Sequence, residues 1–492
     1  MDTLRSPRSR GRWRGALAAL AGAACLLAAG CASIEPAPSP ASDPPIEAPH
    51  TTGGRPANPE RQRLVDAFGG EYKAPATQAY LNAVLAKLTP AGDDSHPYRV
   101  TILNSPIVNA FALPSGDIFV TRGLLALADD TSEIAAVMAH EIAHVTARHA
   151  SQRAEFEKTA ALFTRVNAQV LAHRQADAEV EARSKLSIAR FSRQQELDAD
   201  RMGITDIAHA GFDPYAASRF LTALGEWSAL RASISGAGSP DRPDMMATHP
   251  STPERIAAAV AQAQKFGPPG TGVQERDGYL SAIDGMAFGE DPLQGVVRGT
   301  TFIHPKLGFA FEAPEGFTLE NQSAALIGVG EGGTEALRLD SIALPDSTPL
   351  KTAIASGWID GVKTTNVESI KIGGLDAATA VARGDQWSFR LGAVRLNGRV
   401  YRLIFAAHSL TPEVDGRFRA SLESFHLINA QDSAQAEPQS IRIVSAEAVD
   451  TPETMGARMS FLPRPLDQFL ILNGLERKSP LASGQRYKII AR

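Results

Sequence analysis

The chain has 492 residues, 43% hydrophobic and 21% charged, with a formal net charge of −5. Its length predicts two or three domains, and the absence of any basic run excludes a nucleic-acid partner. The two cysteines, Cys25 and Cys31, both fall near the start. The chain after them has no disulfide framework and no cysteine metal cage, so any metal must be held by histidine and carboxylate.

Residues 1–30 read as a secretory leader. Arg5, Arg8, Arg10, Arg12 and Arg14 precede an apolar run from Ala16 to Ala29 that is short for a membrane span. Leu27-Ala28-Ala29-Gly30-Cys31 resembles a bacterial lipoprotein cleavage box, with Ala28 where Leu is usual. The resemblance implies lipidation of Cys31, and Ala32 after it suggests the outer membrane. Residues 31–58 are rich in Pro, Ala and Ser and read as a disordered tether.

Gln62–Phe68 and Thr77–Leu88 read as helices. Tyr98–Leu103, Ile107–Leu113 and Asp117–Thr121 read as strands, the last two joined by a turn at Pro114-Ser115-Gly116. A short helix, Gly123–Ala128, leads into Thr131–His149. There Ile134, Val137, Met138, Ile142 and Val145 recur at helical spacing. This helix carries His140-Glu141-Ile142-Ala143-His144, an H-E-x-x-H pattern. The two imidazoles, four residues apart, share a face and can bind one Zn²⁺, with Glu141 beside them to act on water. His149 lies nine residues past His140, about half a turn out of phase on a continuous helix, and is not read as a ligand.

Ala150–Ala189 reads as a long polar helical stretch whose apolar residues, Leu162 to Leu171, form a core face or a membrane or substrate contact. The next helix opens at Ser192 and ends by Gly211. Glu196 and Asp200 share one of its faces. Glu196 is the candidate third ligand, and Asp200 could fix the tautomer of a ligating histidine. Asp213-Pro214 caps a helix to about Leu224, Ser233–Met246 reads as loop, and Thr252 opens a helix to Phe266 after Thr248-His249-Pro250-Ser251.

Together, His140-Glu141-x-x-His144, Ser192-Arg193 with Glu196 and Ala199-Asp200, and His249-Pro250 with Glu254-Arg255 resemble the gluzincin zinc peptidases of the CAAX-prenyl-endopeptidase type, in their soluble bacterial periplasmic branch. Asn109-Ala110-Phe111-Ala112-Leu113-Pro114 and Thr121-Arg122-Gly123-Leu124-Leu125 also look like that family. The resemblance implies a zinc-dependent metalloendopeptidase domain over 59–267. His140, His144 and Glu196 would ligate one Zn²⁺ per chain, Glu141 would be the general base, and Asp200 would support a ligand. His249 would either stabilise the oxyanion or plug the open zinc position. Asn109, Ala110, Phe111 and Ala112 would form an edge strand that receives extended substrate. The implied substrates are unfolded, misfolded or unassembled envelope and outer-membrane polypeptides, cleaved in protein quality control. A chaperone or assembly factor with a plugged zinc site, or a peptidoglycan-associated binding protein, is the alternative.

Residues 268–300 read as a loop-rich connector. Residues 301–430 alternate predicted strands and helices and resemble the PsbP-like sandwich. Gln431–Ser440 is a polar linker. Residues 441–492 resemble a LysM module without its opening Gly-Asp-Thr, which implies peptidoglycan as a further partner. The expected architecture is α+β: a mostly helical zincin-type domain, a sandwich-like module and a small LysM-like module. The expected place is the periplasmic side of the bacterial cell envelope, held through Cys31.

Overall fold

The computed structural model describes residues 59–89, 97–151, 191–235, 245–322, 325–356, 358–359 and 362–492. The leader, the tether with Cys31, most of the polar stretch Ala150–Ala189 and the loop 236–244 lie outside the described residues.

Helices α1 (Pro59–Ala67) and α2 (Pro75–Leu88) precede a three-stranded sheet of β1 (Arg99–Leu103), β2 (Ala110–Ala112) and β3 (Asp117–Thr121). Its order is β1-β3-β2, with β1 parallel and β2 antiparallel to β3, so β2 is an edge. β2 is shorter than the expected strand Ile107–Leu113. Before Ala110 the backbone turns to other partners: Asn109 N–H donates to Thr121 Oγ1, and Val108 O accepts from Met245 N–H.

Helix α3 (Arg122–Leu127) leads to α4 (Thr131–Thr146), then α5 (Arg193–His209), α6 (Ala216–Ser235), the single turn α7 (Met245–Thr248) and α8 (Pro253–Ala263). The Asp130 side chain caps α4 by accepting from Glu133 N–H, which satisfies one orphan donor of the first turn. Every residue of α4 from Thr131 to His144 is buried. Its apolar stripe enters the main core, and the histidines emerge on the face turned toward α5. Helix α4 stops at Thr146 instead of running on to His149, because Arg148 adopts left-handed backbone with φ 55°. Among the described residues, no helix is long and apolar enough to cross a membrane.

The later chain departs from expectation at Arg276–Ile283, in the expected linker Gln431–Ser440, where Ala430–Gln435 is a helix and Gln439 opens a strand, and in the core that the last segment joins. Arg276–Ile283, expected as connector loop, is a helix (α9) that buries Tyr279, Leu280 and Ile283. Its glycine and aspartates suggested turns, but the apolar residues share a face that packs near Tyr80, with ring centroids 6.3 Å apart. The last segment, Gln439–Ser445, Pro452–Ala457, Pro465–Leu472 and Arg486–Ala491, is strand-helix-helix-strand with antiparallel strands. It shares the main core with the helical part. Ile441, Met455, Phe469, Tyr487 and Ile490 pack in one cluster with Leu81, Ile102, Val120, Ile134 and Met138.

Between these parts, a seven-stranded antiparallel sheet spans Thr318 to Ala407. It faces a second, four-stranded sheet (Val296–Arg298, Thr301–His304, Phe309–Glu312, His426–Leu427). Helix Pro412–Glu423 contributes Phe418 and Leu422 to a core with Phe309, Phe311, Tyr401 and Phe405. Another helix, Leu350–Ala355, covers a separate cluster built on Ala378, Leu391 and Val400.

Candidate metal centre

Helix α4 presents His140, Glu141 and His144 to α5, which presents Glu196 and Asp200. The two helices approach closely at Gly203. A Cβ there would stand 3.0 Å from His140 N and 3.2 Å from His140 Cα. Helix α5 is fixed at its start by a capping box between Ser192 and Gln195. Turn α7 brings in the last element. Met245 N–H donates to Val108 O at 3.0 Å, and His249 N–H donates to Met245 O at 2.6 Å, so His249 follows the edge of the sheet into the site.

The result is one buried group of His140, His144, Glu196 and His249, whose donor atoms lie within 4.8 Å of one another. His140 Nε2 is 3.0 Å from His144 Nε2 and 3.2 Å from His249 Nδ1. His249 Nδ1 is 3.0 Å from Glu196 Oε1. Glu196 Oε2 is 3.6 Å from His140 Nε2, and Glu196 Oε1 is 3.6 Å from His144 Nε2. Donors bound tetrahedrally to Zn²⁺ at about 2.0–2.1 Å stand about 3.3 Å apart. Buried donors spaced 3.0–3.6 Å therefore fit a common ion, and the three-nitrogen, one-carboxylate set suits zinc.

Electrostatics agree with ligand roles. Burial and the neighbouring His140 and His249 lower the His144 pKa well below its ordinary value, which keeps the imidazole neutral and able to bind metal. Burial alone would raise the Glu196 pKa, but His249, His140 and Arg255 hold it below the ordinary carboxylate value. Glu141 differs. Burial pushes its pKa up to about 8, against His140 and the Ala112 amide, which favour the charge. Its Oε1 is buried with no hydrogen-bond partner among the described residues and lies 3.7 Å from His249 Nε2.

Around this group, Asp200 Oδ1 is 3.0 Å from His140 Nδ1. Burial works against the charge on Asp200, yet Arg255 and His140 hold its pKa far below the usual carboxylate range. The edge strand reaches the centre at Ala112. The outward groups of Ala110 face away from β3, because Asn109 O and Leu113 N are the ones bonded to it. The Phe111 ring points elsewhere, packed on Phe68 and Phe119.

Two residues were not anticipated. Arg255 donates to both oxygens of Asp200, at 2.8 and 2.7 Å, lies 2.8 Å from Glu196 Oε2, and donates to Pro250 O at 3.0 Å. Its position three residues into the helix after His249-Pro250 was visible, but nothing in one sequence told which way its side chain turned. The second is His149, whose Nδ1 lies 3.0 Å from His144 Nδ1.

With this geometry in view, the comparisons with known proteins are specific.

Residues 75–263 match the model of peptidase family M48.

The matched segment contains the whole donor group. The chain is 30% identical over 204 residues to the beta-barrel assembly-enhancing protease of Escherichia coli, covering 39% of this chain and 40% of that protein. It is 34% identical over 167 residues to the mitochondrial metalloendopeptidase OMA1 of Arabidopsis thaliana, covering 34% of this chain and 31% of that one. The chain thus spans about two fifths or less of the length of these curated relatives. A solution structure of cyanobacterial PsbP from Synechocystis is similar at 17% identity over 27% of this chain and 95% of that one, with a TM-score of 0.22.

Proposed function

We propose that this chain is a zinc metalloendopeptidase of the bacterial cell envelope that cleaves misfolded or unassembled envelope and outer-membrane proteins. The observation that carries the reading is the buried group of His140, His144 and Glu196 with the unpartnered Glu141 Oε1 beside it. When bound, zinc would supply Lewis acidity that polarises the scissile carbonyl and acidifies water. His140, His144 and Glu196 hold it, and Asp200 steadies His140. Glu141 takes a proton from the attacking water and delivers it to the leaving amine. Burial favours the neutral form of the Glu141 carboxyl, so the proton, once taken, is readily handed on to the amine. Ala110 and the Ala112 carbonyl offer outward backbone groups on which an extended substrate pairs as a further strand.

The envelope placement rests on the arginine-rich leader, on the box ending at Cys31, and on the name of the E. coli relative. Anchoring through Cys31 at the outer membrane and the kinship to the CAAX-prenyl-endopeptidase type belong to the same reading. The strand-helix-helix-strand order of the last segment supports a LysM-like fold there, with peptidoglycan as its ligand. Pull-down on purified sacculi with and without residues 441–492 tests that part; equal capture of both forms ends it.

A second reading is favoured by one distance. His249 Nδ1 stands 3.0 Å from Glu196 Oε1, inside the donor group, where it fills the position that water needs. In that reading the chain acts chiefly as a chaperone or assembly factor until the His249 loop moves. Both readings are tested by cleavage of casein or an unfolded porin by wild type, Glu141→Gln and His249→Ala, with zinc measured on each. Cleavage by wild type that Glu141→Gln abolishes supports the peptidase. A silent wild type with active His249→Ala supports the closed form. Absence of zinc from all three sinks both readings.

A further inference from the structure

The donor group uses the Nε2 atoms of His140 and His144, so each ring must carry its proton on Nδ1 if Nε2 is to bind a metal. For His140 the carboxylate placed to take that proton is Asp200, whose Oδ1 stands 3.0 Å from Nδ1. For His144, among the described residues, no carboxylate lies within reach of its Nδ1. The atom there is Nδ1 of His149, at 3.0 Å, and both rings are buried.

We propose that His149 is a positioning residue for the metal centre: its Nδ1 accepts the Nδ1–H of His144 and locks that ligand in the tautomer that leaves Nε2 free. The proposal rests on the metal reading above and adds a residue to it. The backbone shows how the chain places His149 there. Helix α4 ends at Thr146, Arg148 turns left-handed at φ 55°, and the next residue swings back beneath the last turn of the helix. On an unbroken helix the same residue would point away from His144. Phe191 stacks on the other side of the His144 ring, with centroids 3.9 Å apart. That contact fixes the plane of the ring, but an apolar face cannot choose between the tautomers. Only an acceptor at Nδ1 can. His149 itself is not a ligand, because the nitrogen that faces His144 sits on the side of that ring opposite the donor group.

The test is zinc affinity by chelator competition on full-length protein, comparing wild type, His149→Phe and His149→Gln. Phenylalanine keeps a ring in the space but cannot accept; glutamine can. Loss of an acceptor behind a ligating histidine weakens metal binding by about 10- to 100-fold. That loss is expected for His149→Phe, with most of it restored in His149→Gln. Wild-type affinity in His149→Phe, or equal weakening in both variants, overturns the proposal. A second measurement needs no variant. In zinc-loaded wild type labelled with ¹⁵N-histidine, a scalar coupling across the hydrogen bond should join His144 Nδ1 to His149 Nδ1, and a proton on His144 Nε2 would overturn the idea. If wild type binds no zinc, the metal reading itself has failed, which is a different result from either of these.

Discussion

Lys488 Nζ donates to the Ala128 carbonyl at 2.6 Å, and so ties the last strand of the chain to the residues that lead into α4. The same ammonium also donates to Ala126 O at 3.1 Å and lies 3.7 Å from Asp129. Asp129 is paired with Arg276, while Asp130, the cap of α4, is paired with Arg219 at 2.7 Å. The lysine is fully buried, and its donors satisfy carbonyls at the end of α3 that no helix bond uses. Lys488→Met keeps the shaft and removes the charge. It leaves those carbonyls and part of Asp129 uncompensated in a dry site, which should cost about 3 kcal/mol. Thermal unfolding of the full chain checks it. A transition at the wild-type temperature would mean that the last strand does not brace α4.

Gly203 gives a prediction in which two effects compete. Alanine in a helix interior is favoured over glycine by about 1 kcal/mol. A Cβ at Gly203, however, would press on the backbone of Ala139 and His140 at 3.0–3.2 Å, where nothing flexible can yield. Overpacking of this kind costs about 1–3 kcal/mol. The net is a loss of about 0–2 kcal/mol, so Gly203→Ala should destabilise modestly at most. It should still part α4 from α5 by a few tenths of an ångström and shift Glu196 relative to His140. Zinc affinity and cleavage should therefore fall together, by about tenfold, while the unfolding temperature falls modestly or not at all. A variant that keeps full affinity would show that the site tolerates the displacement.

These two residues also show where the sequence was readable and where it was not. The donors are local in pattern: His140 and His144 are spaced by one helical turn, and Glu196 and Asp200 repeat that spacing on α5. Periodicity therefore placed them on faces before any fold was known. Among the described residues of 75–263 most expected helices and strands appear with ends shifted by a few residues, but the helix expected to stop near Leu224 runs on to Ser235. His149 was read as no ligand, and it is not in the donor group, but the phase argument assumed an unbroken helix and so could not show its contact with His144; a left-handed Arg148 is not written in any local signal. Arg255 and Lys488 were missed for another reason. A cation in a sequence looks like a solvated surface charge, and only the packing of α8 on α5, or of the last strand on α3, reveals a buried one. The sharing of one core by Met455, Phe469 and Ile134 is likewise a long-range fact.

The acidic cluster at the start of α4 predicts a pH dependence of stability. Burial, with Asp130 and Asp129 nearby, pushes the Glu133 pKa up to about 8 from 4.5. The folded value thus lies above the unfolded one. Between about pH 4.5 and 8 the folded chain keeps a proton that the unfolded chain has released, so this group's contribution to stability falls as pH rises through that window. Glu133→Gln removes the titration. Its unfolding free energy should lose less than that of wild type between pH 5 and 8 in urea titrations, whatever the offset between the two proteins. Parallel pH profiles would mean that Arg219, 3.3 Å from Glu133, already keeps the carboxylate ionised in the folded state.

Arg255 should prove irreplaceable by lysine. Its guanidinium makes three kinds of contact at once: both oxygens of Asp200, one oxygen of Glu196, and the carbonyl of Pro250 next to His249. It therefore fixes a candidate ligand, the partner of another ligand, and the loop that carries the fourth. A lysine ammonium is a point donor and cannot span these groups. Arg255→Lys should keep the fold, since one cation still neutralises the buried acids, but zinc affinity should drop by about tenfold or more. Arg255→Ala leaves two buried carboxylates without their cation and should also lose about 3–5 kcal/mol of stability. Chelator competition and thermal unfolding on the pair separate the two roles. Wild-type zinc affinity in Arg255→Lys would reduce Arg255 to a counter-charge, and the shape of the donor group would then have to come from the helices alone.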